Sequence, residues 1–170
     1  MQALYLISVW LHILAATVWI GGLFFIVLVV VPWLKRGHAG SMDAGAFLQE
    51  TGARFRYVGW ICFAVIAMTG TFNLSIRGVR WSELVSVAWW TGPFGGALAI
   101  KLLLFALVLA VSFVHDFRVG PRATEAMRLD PRAPDTTALR KRASLLGRLN
   151  GLLALALVAL GVVLVRGWPW

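Results

Sequence analysis

Acidic residues and cysteines are scarce in this sequence. It contains 7 aspartates and glutamates against 16 lysines and arginines, which gives a formal net charge of +9. The one cysteine, Cys62, cannot form an internal disulfide, and the chain has no CxxC motif. A Gly-rich nucleotide loop, an HExxH zinc motif and a nucleophile–base pairing are also missing. The sequence therefore lacks the motifs that are common in soluble enzymes.

Polar residues are a minority in the chain: 60% of the residues are hydrophobic and the mean hydropathy is +0.82. Four apolar segments, about 4–34, 57–76, 94–114 and 145–165, are each long enough to cross a bilayer. Lipid admits only helices or closed barrels as spanning structures. The sequence therefore predicts an all-α integral membrane protein, an antiparallel bundle of four transmembrane helices. Four spans leave no room for a separate soluble domain, so residues 1–170 are predicted to form one domain.

The basic residues are concentrated in two of the three connections between the spans. The segments 35–56 and 115–143 contain most of them, whereas the middle connection has only Arg77 and Arg80. This asymmetry predicts that 35–56 and 115–143 are cytoplasmic loops and that both termini are periplasmic, in a bacterial inner membrane. No lysine or arginine precedes the first apolar segment, which predicts a retained helix instead of a cleaved signal peptide. The distribution favours contact with anionic lipid headgroups and argues against nucleic acid.

His12 is the only acidic, basic or histidine side chain in the segment 4–34. An ionisable group inside hydrocarbon is costly and indicates a functional site, and a neutral imidazole is a common ligand of metals and haem iron. At about 1.5 Å per residue, His12 and Lys101 both lie about 11–12 Å below the outer ends of their helices. Thr69 and Asn73 approach the same depth on the second helix. We expect a polar layer that either holds a ligand or orients the bundle as a satisfied network.

A second polar position is predicted at the inner end of the third span. His115 shares a helix face with Lys101, about 21 Å further along the axis. His115-Asp116 is interpreted either as an interfacial helix-end pair or as a second site. Two sites at two depths would suit transmembrane electron transfer or the passage of an ion. Trp19 follows His12 by seven residues on the same face, where it would either wall a flat cofactor or fill the core.

The stretch Leu11–Phe25, followed by Pro32, resembles the first helix of the copper-resistance protein D (CopD) family. This family is associated with copper resistance and with copper uptake across the inner membrane, and the chain would correspond to its four-helix core. The resemblance covers most of the chain, through further short matches at Arg54-Phe55-Arg56, Thr69-Gly70, Lys101-Leu102, His115-Asp116, Gly120-Pro121 and Arg148-Leu149-Asn150.

The chain is also similar to the HemJ group of protoporphyrinogen oxidases. That group is thought to bind haem b through a first-helix histidine and a third-helix lysine, and His12 and Lys101 occupy matching positions. The chain lacks the group's Pro-Arg and Tyr-His continuation of the first helix. It also has Gly151-Leu152-Leu153 where a glutamate and a proline are expected. This similarity therefore bears on haem binding more than on protoporphyrinogen oxidation.

These resemblances imply two functions. The first is copper handling, by transport or resistance, with a copper ion near His12 and His115 as the other metal candidate. The chain has no Met-rich or multi-Cys track of the kind that soft Cu(I) favours. The alternative is a haem b membrane oxidoreductase, with His12 and either Lys101 or His115 at the haem and with Trp19 and Asn73 near the cofactor. A lysine amine coordinates iron only when it is neutral.

A third interpretation is an accessory subunit of a larger membrane complex. Besides the lipid bilayer, the partners expected for these functions are a periplasmic copper protein or electron-transfer protein, or a second copy of the chain.

Overall fold

The computed structural model describes residues 2–33 and 42–166; the basic pair Lys35-Arg36 and the tryptophans at 168 and 170 lie outside these residues. Every regular element in the described ranges is helical. Four helical stretches are long and apolar enough to cross a membrane, so the predicted all-α membrane fold is confirmed. In chain order the helices are α1 (Gln2–Trp33), α2 (Met42–Ile76), α3 (Trp81–Leu84), α4 (Val87–Thr91), α5 (Pro93–Val114), α6 (Gly120–Leu129) and α7 (Pro134–Arg166).

The long helices pack as two neighbouring pairs. Helix α1 packs against α2 and α5 packs against α7, while contacts between α1 and α7 join the pairs. We call the half that contains the N-terminal end of α1 and the short helices α3 and α4 the outer half, and the opposite half the inner half, following the predicted orientation. The core between the pairs is formed mainly by Trp19, Phe63, Val108 and Ala154. Leucines on the surface of the bundle that faces away from its core are exposed, as expected where lipid covers a helix.

Gly22 allows α1 and α2 to approach closely. A Cβ atom at Gly22 would lie 2.5 Å from the ring of Phe55, which is too near for any real contact. The neighbouring Gly21 faces open space. Small residues commonly mark such close contacts between membrane helices. Of the Gly21-Gly22 pair, only Gly22 lies at such a contact.

Two π-helical turns, Ile26–Val30 and His115–Val119, widen the long helices at the inner end of the bundle. In each turn, the backbone N–H of the residue that follows it bonds to a carbonyl five residues earlier. Each turn lies just before a proline, Pro32 or Pro121. Because proline lacks an N–H and its ring clashes with the carbonyl four residues before it, the wider turn accommodates the proline without ending the helix.

The segment 115–143, predicted as a loop, is largely helical. The π turn continues directly into α6, and only residues 130–133 separate α6 from α7. Pro134 is the first residue of α7, where a missing N–H costs little, whereas Pro121 follows the π turn within a continuous helical stretch. Ala123 and Met127, four residues apart, are buried and hold α6 against the bundle. The chain is therefore helical through Pro121 and begins a new helix at Pro134.

Candidate functional site

His12 lies in the outer half of the bundle, where α1 packs against α2. Its Nδ1 atom is 2.8 Å from the hydroxyl oxygen of Thr69. That hydroxyl donates its single proton within α2, to the carbonyl of Val65 at 2.6 Å. His12 Nδ1 must therefore be the donor toward Thr69, an assignment that rests on the hydrogen-bond network. In the neutral imidazole, the lone pair then lies on Nε2, as in metal-binding histidines whose other nitrogen is held by a protein acceptor.

Gly70 makes room for the imidazole ring. A Cβ atom at this position would lie 3.4 Å from His12 Cε1, at the short end of van der Waals contact. Thr69 thus supplies a hydrogen-bond acceptor for Nδ1, and Gly70 lies beside the ring. This local arrangement fixes the ring against α2.

Lys101 reaches the same layer from α5. Its ammonium group is close enough to interact electrostatically with His12 and with Arg77. A Cβ atom at Gly161 of α7 would lie 4.0 Å from Lys101 Nζ. The structure therefore brings His12, Thr69 and Lys101 into one layer, to which all four long helices contribute.

Asn73 lies one turn beyond Thr69 on α2. Its side-chain oxygen is buried and has no hydrogen-bond partner among the described residues. Leaving a buried acceptor unpaired costs about 1–3 kcal/mol. Buried polar atoms in native structures pair with protein, water or an ion, so this oxygen is an available acceptor or ligand atom within the polar layer.

His115 directly follows the last residue of α5, at the inner end of that helix. Its hydrogen bonds differ from those of His12. Its Nδ1 is 3.0 Å from one carboxylate oxygen of Asp116, and the indole N–H of Trp60 donates to the other oxygen at 3.2 Å. The guanidinium of Arg56 donates to the backbone carbonyl of Asp116 at 2.9 Å. These contacts tie α2 to the π turn that follows α5, and they involve His115-Asp116 in a helix-end cluster.

A cavity of about 1190 Å³ opens in the inner half, between α1, α2, α6, α7 and the second π turn. His115 lines it, together with Arg56, Arg148 and Asn150. Neither His12 nor Lys101 does. Trp19 also lines the cavity; it is 4% exposed and packs edge-on against Phe63 at 4.9 Å. Trp19 is thus a core residue that faces the inner cavity.

Metal ligands are sparse in this arrangement. Within residues 2–33 and 42–166, no three side chains of histidine, cysteine, aspartate or glutamate are grouped so as to hold an ion. His12 and His115 lie in opposite halves of the bundle, so they cannot bind the same ion. Any metal at His12 would need further ligands from the amide of Asn73, from Lys101 or from another molecule.

The fold and its polar layer define a multi-pass helical membrane protein. The chain matches the family model described as Copper resistance protein D over residues 49–164. It belongs to that family. The match begins within α2, so it includes Thr69, Lys101 and His115 but not His12.

Individual proteins are also similar to the chain. The chain is 33% identical over 158 residues to an uncharacterized protein of Aquifex aeolicus, and the match covers 93% of each chain. It is also 33% identical over 97 residues to proteins named protoheme IX farnesyltransferase from Trichormus variabilis and Nostoc sp.. Those matches cover 57% of this chain but only 27% of each relative. No solved structure matches the chain significantly.

Sequence reasoning missed the cavity and the hydrogen bond that borders it. The side-chain N–H of Asn150 donates to the hydroxyl of Ser112 at 2.8 Å, and both residues are buried. Two polar residues within apolar spans are a signal for such a bond, and Ser112 lies on the same face as Lys101. The arginines around the cavity were interpreted as indicators of topology and of contact with anionic lipid headgroups, and not as residues that line a cavity.

Proposed function

We propose that this membrane protein handles copper and that His12 supplies an imidazole ligand to the ion in the outer half of the bundle. The observation that carries the proposal is the hydrogen bond between His12 Nδ1 and the Thr69 hydroxyl: with the Thr69 proton donated to Val65, Nδ1–H is assigned as the donor and the lone pair lies on Nε2. Imidazole is among the ligands that suit copper. Membership of the Copper resistance protein D family supports copper as the metal.

The donor set fits an ion in passage better than an ion held permanently. One imidazole and one unpaired amide oxygen, that of Asn73, make an incomplete coordination shell. When Lys101 is protonated, its charge in the same layer repels a cation and weakens binding of the ion, whereas the neutral amine could act as a ligand. A periplasmic copper protein, or a second copy of the chain, would supply the remaining ligands during transfer. His115 is then a second contact for the ion, in the inner half.

The test is copper binding to the purified protein. Detergent-solubilised wild type, His12→Ala and His115→Ala are titrated with Cu(I) against a chromophoric chelator under anaerobic, reducing conditions. We expect wild type to take copper from the chelator, His12→Ala to lose most of that binding, and His115→Ala to keep the outer component. Equal binding by wild type and His12→Ala would reject His12 as a ligand.

An absorption spectrum of the same samples separates copper from haem. Protein from haem-replete cells is expected to show no Soret band. A Soret band and a reduced-state α band that disappear or shift in His12→Ala would contradict the copper proposal and support the haem b oxidoreductase instead. Measuring both properties on one preparation prevents one ligand from being mistaken for the other.

A further inference from the structure

The inner cavity has the size and the mixed walls of a binding site, and the proposed copper contact at His12 makes no use of it. Its volume of about 1190 Å³ exceeds the roughly 300–1,000 Å³ that is typical of small-molecule pockets. Helix α1 contributes an apolar wall that runs from Trp19 to Val31. Helix α7 contributes a polar wall that runs from Arg140 to Asn150. A ligand that fills this space must be large, apolar on one side and polar on the other.

The polar side of the cavity carries uncompensated positive charge. Four cationic side chains line it, against two carboxylates, Asp116 and Glu125. Asp116 is engaged by His115 and Trp60, and Glu125 pairs with Arg128 at 2.8 Å. No acidic side chain in the described part of the chain forms an ion pair with the cations of the wall. These cations are Arg56, Arg140, Lys141 and Arg148.

Asn150 provides an independent sign that a ligand is needed. It lines the cavity and is only 8% exposed. Its side-chain N–H donates to Ser112, whereas its side-chain oxygen is buried without a partner among the described residues. With the amide oriented in this way, the atom without a partner is an acceptor, so the group that pairs with it is a hydrogen-bond donor. The arginines call for an anionic group on the ligand, and the oxygen of Asn150 calls for a hydrogen-bond donor as well.

We propose that this cavity binds an anionic phospholipid whose headgroup carries a hydroxyl, such as phosphatidylglycerol. The phosphate pairs with the arginines of α7, which suit phosphate oxygens through their forked donors. The headgroup hydroxyl donates to Asn150, and the acyl chains lie along the apolar wall of α1. A bilayer presents anionic lipids to the basic end of such a bundle, so the ligand is available where the cavity lies.

Native mass spectrometry tests this proposal on the intact protein. Wild type in neutral detergent is mixed with phosphatidylglycerol or with phosphatidylcholine of identical acyl chains. We expect bound phosphatidylglycerol to survive detergent removal and phosphatidylcholine to be lost. Arg148→Gln is expected to weaken phosphatidylglycerol binding about tenfold, as for the loss of one charge-assisted hydrogen bond. Arg122→Gln is the matched control, since Arg122 lies on α6, is exposed and does not line the cavity.

Three outcomes would overturn the proposal. Equal retention of the two lipids would show that the cavity does not select an anionic headgroup. Equal losses in Arg148→Gln and Arg122→Gln would place the lipid on the general basic surface. Displacement of the lipid by an equal concentration of glycerol phosphate would identify a soluble phosphate compound as the ligand. Where Arg148→Gln yields too little folded protein, Arg140→Gln replaces it in the same comparison, and Cu(I) binding checks that the outer half is intact.

Discussion

The imidazole of His12 donates to the hydroxyl of Thr69 across the α1–α2 interface, with Nδ1 and Oγ1 2.8 Å apart. The two residues are 57 positions apart in the chain. Because the Thr69 proton is already committed to its own helix, the bond fixes which imidazole nitrogen carries the lone pair. With this assignment, a hydroxyl on α2 sets which nitrogen of the His12 imidazole carries the lone pair.

Replacing Thr69 by valine should therefore weaken copper binding although Thr69 is not a ligand. The variant keeps the shape of the side chain but removes the acceptor of His12 Nδ1. Loss of such an outer partner typically lowers metal affinity about 10–100-fold. The measurement is Cu(I) affinity by chelator competition.

The matched control for this experiment is Thr71→Val. Thr71 is exposed on the same helix, and its hydroxyl bonds only to a backbone carbonyl of α2, that of Ala67. Its copper affinity should equal that of wild type. If Thr69→Val and Thr71→Val bind copper equally well, the tautomer argument for His12 is wrong.

Removing the hydroxyl of Ser112 should destabilise the bundle. In Ser112→Ala the buried side-chain N–H of Asn150 loses its acceptor, and leaving it unpaired costs about 1–3 kcal/mol. The variant is compared with wild type by thermal unfolding in detergent. Adding Asn150→Leu to Ser112→Ala removes the stranded amide, so the double variant should unfold at a higher temperature than the sum of the single effects predicts. Additive losses would show that the bond contributes nothing.

The four-helix architecture was predictable because hydrocarbon allows so few alternatives. Long apolar runs had to be helices, and the depth of His12 and Lys101 followed from the rise per residue. Depth alone does not give rotation about the helix axis, so the contact between His12 and Thr69 required the structure. A proline also does not reveal from the sequence alone whether the helix before it ends or continues through a wider π turn. This is why α6 was missed, and with it the cavity that Ala123 and Met127 help to line.

The two glycines of the Gly21-Gly22 pair should differ sharply in their tolerance of alanine. A methyl group at position 22 would overlap the ring of Phe55, whereas at position 21 it meets nothing within 4 Å. Overpacking of this kind typically costs about 1–3 kcal/mol. Gly22→Ala should therefore lower the unfolding temperature in detergent, and Gly21→Ala should leave it unchanged or slightly raise it.

A smaller side chain at position 55 provides the second arm of this experiment. Phe55→Leu removes the ring atoms that the methyl group would meet. In that background, Gly22→Ala should destabilise less than it does in the wild type. An equal penalty in both backgrounds would mean that the close approach of α1 and α2 at this point is not what requires glycine.

The predicted orientation can be tested by cysteine labelling, because the native Cys62 is buried and should not react. Val85, in the connection predicted to be periplasmic, is 84% exposed, and Leu129, in the segment predicted to be cytoplasmic, is 73% exposed. With a membrane-impermeant maleimide on spheroplasts, Val85→Cys should label at once and Leu129→Cys only after lysis. Wild type carrying Cys62 alone measures the background. Labelling of Leu129→Cys but not Val85→Cys before lysis would invert the bundle, and would place the His12 layer toward the cytoplasm and the basic cavity toward the periplasm.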